Sequence, residues 1–70
     1  MISDIVIYFK DGTTFSSKGY KFSFHGLDLN GNVYKYLDEK SPLIVQDLEQ
    51  EKLFYYVPYE EIAQIKELEN

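Results

Sequence analysis

Five stretches of this chain carry the hydrophobic pattern of β-strands, and one short tail carries helical spacing. Residues 53–65 hold both. Leu53-Phe54-Tyr55-Tyr56-Val57 is a dense run of aromatic and β-branched side chains, the types that suit a pleated, half-buried surface. Pro58 stops the ladder, because proline has no N–H to donate and fixes φ. Beyond it Ile62, Ile65 and Leu68 recur at helical spacing. At the other end, Ile5-Val6-Ile7-Tyr8-Phe9 is apolar on both faces, which predicts a central strand. Lys10-Asp11-Gly12-Thr13 predicts a turn, and Thr13-Thr14-Phe15 a return strand before Ser16-Ser17-Lys18-Gly19.

Tyr20-Lys21-Phe22-Ser23-Phe24-His25 alternates aromatic and polar, the signature of a strand with Tyr20, Phe22 and Phe24 toward the core. The phase flips after Gly26, since Leu27 and Leu29 are odd-numbered, and a β-bulge or bend at Gly26 would accommodate that. Asn30-Gly31 predicts a type I′ hairpin turn into a partner strand, Val33-Tyr34-Lys35-Tyr36-Leu37. A polar loop over residues 38–42 leads to a strand at 43–48 and a turn at 49–52. Residues 59–68 fit either a helix, or a single helical turn followed by a last strand beside the first; the second ending fits somewhat better. Short connections without βαβ spacing predict a mainly β fold: one domain over residues 1–70, a small, strongly bent five-stranded antiparallel sheet or barrel. By fold-level analogy it would be SH3-like or Sm-like, with a short helical turn or helix near the C-terminus. Closure would remove edges that so hydrophobic a chain could ill expose.

Composition narrows the chemistry. A chain of 70 residues buries only about 60% of its unfolded surface, and with no cysteine there is neither a disulfide nor a thiolate to help. Its core rests on twelve aromatics, seven Tyr and five Phe, and on its aliphatics, with a second subunit's help an open route to stability. No apolar run approaches the ~20 residues of a membrane span, and the N-terminal MISDIV lacks signal-peptide character, so a soluble, cytoplasmic protein without a membrane association is expected. Residues 1–37 carry three acids and four lysines, a net +1; residues 38–70 carry nine acids and three lysines, a net −6. That balance repels phosphate backbones, and the absence of arginine removes bidentate phosphate or guanine readout.

Catalytic signatures are weak throughout. His25 is the only histidine, and His25 with Asp28 is too small a set for a metal. Ser16, Ser17, Ser23 and Ser41 lack a nucleophile-elbow context, the carboxylate pairs Glu49/Glu51 and Glu60/Glu61 fall in predicted turns, and no glycine loop is built for phosphate. The expectation is a protein that is not an enzyme and needs no cofactor.

Two surfaces point to binding instead. Lys18-Gly19-Tyr20-Lys21-Phe22-Ser23-Phe24 interleaves lysines with aromatics on a strand, and resembles over seven residues the first RNA-binding motif of cold-shock domains. It departs where Lys21 replaces the motif's second glycine, and the second aromatic motif and the usual tryptophan are missing. The resemblance implies single-stranded nucleic-acid binding by Lys18, Tyr20, Lys21, Phe22 and His25. The alternation itself reads more simply as a core face. The other surface is an aromatic surplus: with Tyr55 and Val57 toward the core, Phe54 and Tyr56 face outward, and Tyr34 and Tyr36 pose the same problem on another strand. The principal expectation is therefore a non-enzymatic protein-interaction module, using Tyr34, Tyr36, Phe54, Tyr56, Glu60 and Glu61 to bind itself or a basic protein partner. Compact acidic chains of this kind suit accessory or inhibitor proteins of phages and mobile elements.

Overall fold

The computed structural model describes residues 2–69. Its strands are β1 (Ile2–Phe9), β2 (Thr14–Ser16), β3 (Tyr20–Phe24), β4 (Leu27–Asp28), β5 (Leu43–Asp47), β6 (Phe54–Val57) and β7 (Ile62–Glu69). One helix, α1 (Val33–Glu39), separates β4 from β5, and a single 3-10 turn, Tyr59–Glu61, separates β6 from β7. The strands form two antiparallel sheets, ordered β2-β1-β7 and β4-β3-β5-β6. The mainly β, antiparallel character matches the sequence reading. The single five-stranded barrel does not form, because the strands divide between two sheets.

β1 takes the central place that its two apolar faces predict. Ile5 and Ile7 are buried on one face, and Val6 and Tyr8 are half-buried on the other. The tail adopts the turn-plus-strand ending. Pro58 is extended (φ −62°, ψ 139°), the 3-10 turn follows, and β7 then runs back along β1. Its register slips between Tyr8↔Gln64 and Phe9↔Ile62, which leaves Ala63 as the extra residue of a bulge.

Two local readings are sharpened or corrected. Of the bulge and the bend expected at Gly26 the structure has the bend, a chain reversal: His25 and Gly26 both have positive φ, 48° and 77°, as the two central residues of a type I′ hairpin turn do. Phe24 and Leu27 then pair directly and share a face. Around Asn30-Gly31 only the glycine has positive φ (86°), while the Asn32 N–H donates to the Leu29 carbonyl at 2.9 Å, the pattern of a type II turn.

That turn feeds a helix where a strand was expected. As a strand, residues 33–37 would leave Tyr34 and Tyr36 together on one face. Coiled, they bury Val33 and Tyr36, half-bury Leu37, and turn Tyr34, Lys35 and Asp38 to solvent. The helix starts at Asn32, whose side-chain amide donates to the Asp28 carbonyl at 2.9 Å. It ends at Lys40, held in the left-handed region (φ 55°) with its N–H on the Tyr36 carbonyl.

One core joins all these pieces. Ile5 and Ile7 of β1, Phe22 and Phe24 of β3, Leu29, Val33 and Tyr36 around α1, Leu43 and Val45 of β5, and Ile62 of β7 form a single buried cluster. The Tyr36 ring meets Phe24 edge-on, with centroids 5.2 Å apart, and lies 5.9 Å from Tyr59. The sheet of β3 and β5 therefore gives its inner face to this cluster. Its far strand, β6, adds only the half-buried Val57 at its end.

Candidate functional site

Among the described residues, β6 is paired on one side only. It runs antiparallel to β5 with Leu43↔Val57, Ile44↔Tyr56, Val45↔Tyr55 and Gln46↔Phe54 opposite each other. Leu43 and Val45 are buried, so Tyr55 and Val57 share the core side of the sheet, while Phe54 and Tyr56 lie on the outer side beside Gln46 and Ile44. All three aromatics are nonetheless exposed: Phe54 by 50%, Tyr55 by 43% and Tyr56 by 74%. The exposure of Tyr55 was not legible in the sequence. It follows from β6 being the last strand, which reaches the core at Val57 and overhangs it at Tyr55.

The backbone of β6 has a defined direction. The Asp47 N–H donates to the Leu53 carbonyl at 3.1 Å, so residues 47 and 53 form a hydrogen-bonded pair. Hydrogen-bonded and non-hydrogen-bonded pairs alternate along an antiparallel ladder. Tyr55 and Val57 therefore bond to β5, and the N–H and C=O of Phe54 and Tyr56 point to the open edge. The same two residues present both the outward rings and the outward backbone groups.

The other sheet margins are built differently. β2 and β4 are short, at three and two residues, and the long margin β7 carries Lys66, Glu67 and Glu69. Short length and charge are two ordinary ways of blunting an edge. Within β6 there is no charged residue. Acids instead sit beyond each end: Glu49 and Glu51 before it, Glu60 and Glu61 in the 3-10 turn after it, all exposed, with Lys52 the one base in residues 49–61.

The remaining expected residues scatter. Tyr34 is 87% exposed on α1, but Tyr36 is wholly buried on the opposite side of the helix and leaves the interface set, because helical spacing separates residues that a strand would place together. In the basic–aromatic stretch, Lys18, Lys21 and His25 are exposed, whereas Phe22 is buried and Tyr20 is half-buried with its ring edge-on to Phe15 at 4.5 Å. The rings of that stretch face the core, as plain alternation predicts.

Several polar groups elsewhere tie neighbouring segments together. The Ser17 hydroxyl donates to Asp4 and accepts the Ile5 N–H at 2.9 Å, and the Ser16 hydroxyl lies 3.2 Å from both Asp4 oxygens. The Ser17 contact, joined by Ser16 and the charge of Lys18, holds the Asp4 carboxyl below its usual range. His25 Nδ1 lies 3.3 Å from Glu39, tying the β3–β4 hairpin to the end of α1, while Asp28 accepts the Asn30 N–H at 3.0 Å. The His25/Asp28 pair is thus divided between two turns. Among the described residues no three His, Cys, Asp or Glu side chains cluster as metal ligands, and no helix is long and apolar enough to cross a membrane.

Comparison with protein-family models, with curated proteins and with solved structures gave no match for this chain.

Proposed function

We propose that this chain is a non-enzymatic protein-interaction module that binds through β6. One observation carries the reading: three consecutive aromatic residues stand exposed on a strand whose outer backbone groups are unpaired. An aromatic side chain can bury 150–250 Å², so these rings leave roughly 300 Å² of aromatic surface to be covered. At ~25 cal/mol per Å² that is about 8 kcal/mol of gross stabilisation. Association itself costs an estimated ~4–15 kcal/mol, so ring burial alone supports only weak binding. The backbone groups at the same edge supply the remainder, with directionality that a greasy patch lacks. Single-stranded nucleic-acid binding has less support, since Phe22 and Phe24 are buried and the net charge is −5.

The test compares the wild-type chain with the double variant Phe54→Ser, Tyr56→Ser. Both residues lie outside the core, so the variant should keep the wild-type circular-dichroism spectrum. It should lose the protein complexes that the wild-type chain forms when mixed with extract of its native cells or with itself at high concentration. A folded variant that keeps every such complex would place the interface elsewhere.

A further inference from the structure

We infer that β6 receives an extended, basic segment of another protein, which adds as a fifth strand beside Phe54 and Tyr56. This rests on the interaction-module reading and specifies the occupant of the same edge. Strand addition uses what β6 offers: free main-chain N–H and C=O groups at alternate residues, with side-chain surfaces on both faces to be covered. The incoming strand would place one set of its side chains beside Phe54 and Tyr56, and the other beside Tyr55.

Charge decides between a second copy of this chain and a different protein. An antiparallel self-pairing that uses both outward residues sets Phe54 opposite Tyr56 of the other copy, with the two Tyr55 at the centre. Each end then gathers Glu49 and Glu51 of one copy with Glu60 and Glu61 of the other, against Lys52, while Lys10 and Asp11, which line one pocket with Glu60 and Glu61, offset each other. Shifting the register by two residues brings Lys52 toward Glu60, but it sets Phe54 opposite Pro58, which has no N–H. Parallel pairing in register places each acid beside its own copy. Of these pairings, the antiparallel one that engages both outward residues sets acid opposite acid at each end. A strand with Lys or Arg at both ends reverses that balance, because its cations meet all four acids while its centre stays apolar.

The experiment titrates isotope-labelled protein, followed by amide NMR, with three synthetic peptides of about nine residues. One has an alternating valine–threonine centre and two lysines at each end. The second replaces the lysines with glutamates. The third is the lysine peptide with alternate backbone amides methylated. The lysine peptide should shift and protect the Phe54 and Tyr56 amides, weaken with added salt, and bind about tenfold or more tightly than the glutamate peptide. The methylated peptide should not bind, and Tyr56→Lys, a solvent-facing change, should abolish binding with the fold intact. Equal binding of both charge types, or a dimer through β6 that strengthens with salt, overturns the basic occupant and leaves the edge reading standing. If no peptide perturbs β6 and the protein stays monomeric at high concentration, the edge reading falls as well.

Discussion

Among the described residues Tyr36 is the largest wholly buried side chain, and none of them offers its hydroxyl a hydrogen bond. A buried hydroxyl left unpaired costs about 1–3 kcal/mol. Tyr36→Phe removes the hydroxyl and keeps the ring against Phe24 and Tyr59, so it should stabilise the protein by about 1 kcal/mol. In a domain this small that raises Tm by about 4–8 °C. Tyr36→Ala removes the ring as well and should cost about 3–5 kcal/mol, the range seen when a buried aromatic is truncated. Alkaline pH separates the hydroxyl from the ring. Burial, aided by Tyr59 and Glu60, pushes the Tyr36 phenol up to about 12 from its ordinary 10. The folded state thus holds the neutral phenol where the unfolded chain ionises. Stability from this group is intact below pH 10 and is lost as pH rises from 10 through 12, by about 2–3 kcal/mol for a difference of that size. Urea denaturation followed by far-UV circular dichroism at pH 7, 9 and 11 measures both effects. The Phe variant should lead at pH 7 and widen its lead at pH 11. A Phe variant weaker than wild type at pH 7, or one with the same alkaline loss, would refute the reasoning.

Two turn positions give independent checks on the fold by the same denaturation assay. Gly26→Val should destabilise by about 1–3 kcal/mol, because a β-branched residue must adopt φ 77°; a Cβ there meets no neighbour, so an unchanged midpoint would rule out the type I′ turn. Lys40→Gly should stabilise by about 0.5–1 kcal/mol by relieving the left-handed backbone that ends α1, and a loss of stability would show that the Lys40 side chain matters more than its φ.

Much of the fold was legible because burial on one face leaves a period. Ile5 and Ile7, Phe22 and Phe24, and Leu43 and Val45 each alternate with less buried residues, and all six lie in the core. Pro58 marked the end of β6 for a local steric reason, and the turn-plus-strand ending followed. Residues 33–37 were misread because five residues with apolar or aromatic side chains at 33, 34, 36 and 37 fit both periods; Leu29, Val33, Tyr36 and Leu37 at helical spacing were the signal to weigh. At His25 the side chain hid the turn, since positive φ is expected of glycine and is less common in histidine. For the candidate site, Phe54 and Tyr56 were identifiable by parity. The edge position of β6, and with it the exposure of Tyr55, depends on strand order, which no local pattern encodes. A strand over residues 33–37 puts Tyr36 on the same face as Tyr34, whereas α1 turns it into the core.

The central claim is that Phe54 and Tyr56 turn unpaired backbone toward a binding edge, and amide hydrogen exchange tests it residue by residue. In dilute, unbound protein, the Phe54 and Tyr56 amides should exchange much faster than those of Tyr55 and Val57, which bond to β5, and they should become protected when a partner binds. Equal protection of all four amides in the free monomer, or a bound complex in which Phe54 and Tyr56 still exchange freely, would contradict it.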